Sequence, residues 1–100
     1  MKHIYHVTTA QNWQQSQQHG TLSEESLALE GFIHCCTADQ LSGVGSRYFK
    51  GLPDLVVLTI DEAKVKPELK YEVATHNELY PHIFGELNTD AVIKAEPISF

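Results

Sequence analysis

Positive charge is the scarcest resource in this 100-residue chain: seven Lys and Arg stand against 13 Asp and Glu, a formal net charge of -6. No basic stripe is present to displace counterions, so an extended nucleic-acid surface is excluded. Only a local basic corner remains, where Arg47 and Lys50 lie close in sequence. Long apolar runs are missing as well. Nothing approaches the roughly 18 residues a membrane-crossing helix needs, and Met1-Lys2 leads straight into alternating residues rather than a secretory leader. The only two cysteines, Cys35 and Cys36, are adjacent. Neighbours close a tiny, strained ring and make a poor disulfide, so thiols and a reducing cytoplasmic setting are expected. There is no C-x-x-C, no H-x-x-x-H, no G-x-G-x-x-G, no phosphate-binding loop and no G-x-S-x-G. The spacing therefore offers no metal motif, and a histidine-centred metal protein ranks third among the readings below.

Apolar residues make up 42% of the chain, enough for one core, and the length suits one domain over residues 1–100. Residues 2–8 alternate as a strand, with Ile4, His6 and Thr8 on one face. Thr8 or Thr9 caps a helix to about His19, anchored by Ala10 and Trp13 and stopped at Gly20. Residues 21–30 read as a loop with a short extended piece near 27–29, and 32–35 as a short strand. Thr37 and Gln40 form a capping box for a helix of about three turns ending near Phe49. Leu55 to Ile60 is a continuous apolar run and should be a central strand covered on both faces. Leu69 to Val73 reads as an edge strand and 75–88 as irregular. A last strand spans 91–96, with Ile93 and Ala95 inward. The order β-α-β-α-β-β-β is not a doubly wound alternation. It predicts an α+β fold, a small curved, mostly antiparallel sheet carrying two helices.

Chemistry is most concentrated in three histidines with apolar or aromatic neighbours: His6 in Ile4-Tyr5-His6-Val7, His34 in Gly31-Phe32-Ile33-His34-Cys35-Cys36, and His82 in Leu79-Tyr80-Pro81-His82-Ile83-Phe84. Imidazole nitrogens need partners when buried, and three such phrases in so short a chain point to one shared pocket. His34 falls just before the expected helix, where its positive end favours an anion. Cys36, at the same helix mouth, would have a lowered thiol pKa, although a small buried hydrophobe is the plainer reading of both cysteines. Tyr80 and Phe84 can stack on a ring, and Glu78 can stabilise developing positive charge.

Four phrases in this order resemble one family, the small bacterial domain of unknown function 952. They are Ile4-Tyr5-His6-Val7-Thr8-Thr9, the stretch from Ser26 to Gln40, Pro53 to Asp61, and Glu78 to Gly85. The resemblance spans roughly residues 3 to 97, with Cys36 where the family usually has serine. It implies kinship with the ADP-ribosyltransferase-like fold, which includes the RNA 2'-phosphotransferases and has a split, strongly curved sheet. It further implies NAD or an ADP-ribose-type nucleotide as ligand, and transfer of ADP-ribose or a 2'-phosphate as activity. On that similarity His6, His34, Glu78 and His82 are the candidate catalytic residues. His6, Thr8, His34, Arg47, Tyr80 and Phe84 are the candidate ligand contacts. The alternative is a nucleotide or small-ligand module that binds without turnover.

Overall fold

The computed structural model describes residues 2–100. Eight strands and three α-helices follow one another as β1 (His3–Thr9), α1 (Ala10–His19), β2 (Thr21–Leu22), α2 (Glu25–Glu30), β3 (Ile33–His34), α3 (Leu41–Val44), β4 (Leu55–Asp61), β5 (Glu68–Val73), β6 (Leu79–Phe84), β7 (Leu87–Asn88) and β8 (Val92–Ile98). They form three antiparallel sheets, ordered β1-β4-β8, β3-β6-β5 and β2-β7. The fold is α+β with mostly antiparallel strands.

β4 is the middle strand of its sheet, and every one of its residues is buried. Its period-2 side chains feed two cores. Val56, Leu58 and Ile60 join Ile4, Leu22, Ile33, Ile83 and Leu87 in the larger one. Leu55 and Val57 join Val7 in the smaller, closed by Phe49, Ile98 and Phe100. Register places His6 beside Leu58 and Thr8 beside Val56, so both face the side of the larger core.

One backbone bridge joins the two three-stranded sheets. Tyr5 and Cys36 exchange a pair of backbone hydrogen bonds, each 2.8 Å, while the neighbouring Cys35 amide donates to Pro81 of β6 at 3.0 Å. The bridge between Tyr5 and Cys36 is isolated, so the ladder does not continue along β1. Beyond it β1 keeps a free edge, and a cleft opens.

α1 behaves as its caps dictate. Thr9 accepts from the Asn12 amide, and Gly20 ends the helix at φ 83 with its amide on the Ser16 carbonyl. Alanine at Gly20 would meet no neighbouring atom; its cost is the left-handed backbone alone, expected at about 1 kcal/mol and readable as a small shift in the denaturation midpoint.

Four local expectations are corrected. Residues 25–30 are helical, not a loop with an extended piece near 27–29, because Ser26, Leu27 and Ala28 complete a turn that Gly31 terminates at φ 90. The three-turn helix shortens to α3 and a π-turn over Gly45–Phe49. Gly43 and Gly45 weaken helix propensity there, and Gly45 leaves room for the Phe100 ring. Residues 75–88 contain β6 and β7 rather than irregular chain. Pro81 sits inside β6 without breaking it, because its carbonyl still serves the Cys35 amide and β3 supplies only two paired residues. β8 is a sheet edge, so Ile93 is 51% exposed and does not point inward, and Ala95 is exposed too.

A histidine-lined cleft and its three carboxylates

The cleft between the sheets is a cavity of about 550 Å³ wrapped around the free edge of β1, within the size range of small-molecule sites. His6, His34 and His82 all line it, as the sequence led us to expect of rings so far apart along the chain. Thr8, Cys35, Cys36 and Tyr80 are in the wall, with Tyr5, Tyr48 and Phe49 adding aromatic surface. Among the described residues no Lys or Arg lines it, whereas Glu24, Glu25 and Glu30 do.

Each histidine is paired with its own glutamate, and the sequence reading named none of the three acids. His6 is buried in β1. Its Nδ1 donates to the His34 carbonyl at 2.6 Å, and its Nε2 meets Glu24 Oε2 at 2.5 Å. A carbonyl and a carboxylate both accept, so the ring carries hydrogens on both nitrogens and pairs as an imidazolium. Burial opposes that charge, but the Cys35 sulfur and the Glu24 carboxylate outweigh it and raise the ring to about 10. Burial likewise pushes the Glu24 carboxyl up, and His6, Thr8 and Asn12 more than offset it, leaving the acid below its ordinary value. Glu24 occupies the N-cap position of α2 yet makes no capping bond there, because its side chain is turned to His6. A run of acids beginning a helix at Ser23-Glu24-Glu25 was the available signal, hidden by reading 21–30 as loop.

His34 is half exposed and pairs with Glu30, four residues earlier at the end of α2, at 3.0 Å. His82 is buried within β6, not in a loop as its Pro81 neighbour suggested. Its Nδ1 donates to Glu72 Oε1 on β5 at 2.8 Å. Its ring stacks on Phe32 at 4.0 Å and stands edge-on to His34 at 5.3 Å. The His82 Nε2 is buried with no hydrogen-bond partner, a state that costs about 1–3 kcal/mol unless a ligand relieves it.

Of the other candidates, Thr8 and Tyr80 line the cavity and Arg47, Phe84 and Glu78 do not. Thr8 is in the wall, its hydroxyl accepting from Asn12 Nδ2 at 3.1 Å. Arg47 is outside the lining, with its guanidinium donating to the Tyr80 hydroxyl at 3.1 Å. Phe84 packs on Phe32 at 5.4 Å and lies under the Lys70 ammonium, away from the cavity. Glu78 is exposed and receives a bond from Gln40 Nε2 at 3.2 Å, also away from the cavity. The capping box is half made: Gln40 Oε1 accepts from the Thr37 amide, but the Thr37 hydroxyl goes to Asp39. α3 begins only at Leu41, so no helix end faces His34 or activates Cys36. Burial and the neighbouring Cys35 and Asp39 instead push the Cys36 thiol up to about 12, reversing the expected direction. Among the described residues, no group of three or more His, Cys, Asp or Glu side chains is placed to hold a metal ion, and no helix is long and apolar enough to cross a membrane.

A split α+β fold with a histidine-lined cleft is the class that this geometry defines. The family model described as Protein of unknown function (DUF952) matches residues 7–95, and the chain belongs to that family. Among solved structures, the crystal structure of Protein CC0527 from Caulobacter crescentus has the same fold at a TM-score of 0.88 and 22% identity, covering 94% of this chain and 83% of that one. The solution NMR structure of CC0527 gives 0.84 at 22% identity, covering 100% and 87%. No curated protein matches the chain.

Proposed function

We propose that the cleft binds an NAD- or ADP-ribose-type nucleotide and serves ADP-ribosyl or 2'-phosphate transfer, in the manner of ADP-ribosyltransferase-like proteins. The observation that carries this reading is the convergence of His6, His34 and His82 on one cavity at the split between two sheets.

The residues fit one end of such a ligand. A flat heterocycle and its ribose match a space of about 550 Å³ walled by Tyr5, Tyr48, Phe49, Tyr80 and His82, whose buried Nε2 has no partner. When bound, the dinucleotide supplies an N-glycosidic bond that breaks through an oxocarbenium-like state. Glu24, Glu25 and Glu30 give the cavity a negative field that favours such developing charge. His6, doubly protonated, holds two hydrogens in fixed directions and orients β1 against Glu24. The diphosphate is served less well. No Lys or Arg is among the described lining residues, and Arg47, the expected phosphate contact, touches the cavity only through its bond to the Tyr80 hydroxyl.

Binding without turnover is the second reading. It is favoured by the position of Glu78 outside the cavity and by the commitment of Glu24 to His6. Both readings expect NAD to raise the melting temperature, by ~2.7 kcal/mol of added stability at 100 times Kd. His6→Ala, His34→Ala and His82→Ala, each still folded, are expected to lose the shift. No shift with NAD, ADP-ribose or related nucleotides overturns both. Release of nicotinamide from NAD separates them in favour of the enzyme.

A further inference from the structure

Of the three histidine–glutamate pairs, His82–Glu72 is the one with a buried ring nitrogen left uncommitted. Glu72 Oε1 can only accept, so Nδ1 carries the hydrogen of the neutral ring. Nε2 is then a bare acceptor, buried and unpartnered, on a ring that lines the cavity. The ring is held in place by the Phe32 face at 4.0 Å and the His34 edge at 5.3 Å. His6 cannot play this part, because both of its nitrogens already donate.

We propose that His82 is the specificity-determining hydrogen-bond acceptor of the cavity, kept so by Glu72 as a positioning residue, and that the cavity selects a ligand ring bearing a carboxamide or amino N–H over one bearing a carboxylate. This rests on the nucleotide reading above and narrows it. The charges facing the site agree with it. Glu24, Glu25 and Glu30 line the cavity and oppose an anionic substituent. Lys70 stands opposite His82 in register, but its ammonium lies over the Phe84 ring at 5.3 Å and near Glu68 at 3.8 Å. Glu30 is paired with His34.

The first test uses ligand-free protein. Long-range proton–nitrogen NMR at alkaline pH, read in the neutral ring, is expected to show the Nδ1–H tautomer for His82. Glu72→Ala should move it toward Nε2–H, and Glu72→Gln, whose amide oxygen can still accept, should restore it. The second test titrates NAD and its nicotinic acid analogue into the parent and both variants. NAD is expected to bind roughly tenfold tighter than the analogue or better, a difference of about 1.4 kcal/mol. That preference should collapse in Glu72→Ala and persist in Glu72→Gln. An Nε2–H tautomer in the parent overturns the inference whatever binds. Equal binding of the two dinucleotides overturns it while leaving the nucleotide reading intact. Binding of neither overturns that reading and the ligand class with it.

Discussion

Glu24→Ala is expected to destabilise the protein by about 3 kcal/mol, the low end of the ~3–5 kcal/mol seen when one partner of a buried ion pair is removed. The low end applies because the Glu24 side chain is 23% exposed and water can partly replace it. For a domain of this size that is a fall of roughly 12–24 °C in melting temperature. The cause is the His6 imidazolium, left in the core with one nitrogen unanswered. The same pair gives the parent a distinctive pH profile. His6 is raised to about 10 in the folded chain from 6.5. Its contribution is therefore fully present below pH 6.5 and is lost as pH climbs toward 10, because the folded state holds a proton that the unfolded state has released. Glu24 is lowered from 4.5, so its contribution is present above that value and is lost as acid protonates it. Maximal stability should lie between these limits. Chemical denaturation across pH 4–11 is expected to show an alkaline decline in the parent and a much flatter one in Glu24→Ala. An alkaline limb of equal slope in both would refute the ion pair.

Leu58→Ala should cost about 2–5 kcal/mol. Leu58 is fully buried in the middle of β4, flanked by β1 on one side and β8 on the other. Truncation there leaves a void between two paired strands, whose hydrogen-bonded ladders restrict collapse. Its neighbour in register on β1 is His6, so the void also loosens the floor under the His6–Glu24 pair. Ile93→Ala is the control: at 51% exposure on an edge strand, it should stay within about 0.5 kcal/mol of the parent. Urea titration of the three proteins checks both. A loss under 1 kcal/mol for Leu58→Ala would mean that the strand is not a structural centre.

The sequence disclosed the features that have a period or a terminator. The run Leu55 to Ile60 announced a strand covered on both sides, Thr9 and Gly20 announced the ends of α1, and the alternation at Ile4, His6 and Thr8 placed them on one face. It concealed what depends on distant partners. β6 looked irregular because Pro81 and His82 break the usual strand composition, and only the Cys35 amide across the sheet shows why a proline is tolerated there. The third helix looked longer because its apolar spacing hid the effect of Gly43 and Gly45. At the site, the imidazoles were visible because buried histidine is unusual among apolar neighbours. Their carboxylates were not: the helix start at Ser23-Glu24-Glu25 was hidden by reading 21–30 as loop, and Glu30 and Glu72 carry no local mark among 13 acids. Glu78 was preferred for its closeness to His82 in sequence, yet Glu72, one strand away and in reach across the β5–β6 pair, is the acid that His82 meets.

The Cys35-Cys36 step has a mechanical consequence. Successive amides there fasten to different sheets, Cys35 to Pro81 and Cys36 to Tyr5, so one peptide unit acts as a rivet through both. The turn over Gly45–Phe49 is tied more lightly, by the Tyr48 hydroxyl reaching Thr75 Oγ1 at 3.0 Å and by Arg47 donating to the Tyr80 hydroxyl at 3.1 Å. Splaying at the cysteine end must tear several backbone bonds together, whereas parting at the tyrosine end gives up side-chain bonds, Tyr48 to Thr75 and Arg47 to Tyr80. Amide hydrogen exchange should therefore be slower at Cys35 and Cys36 than around Tyr48 and Thr75.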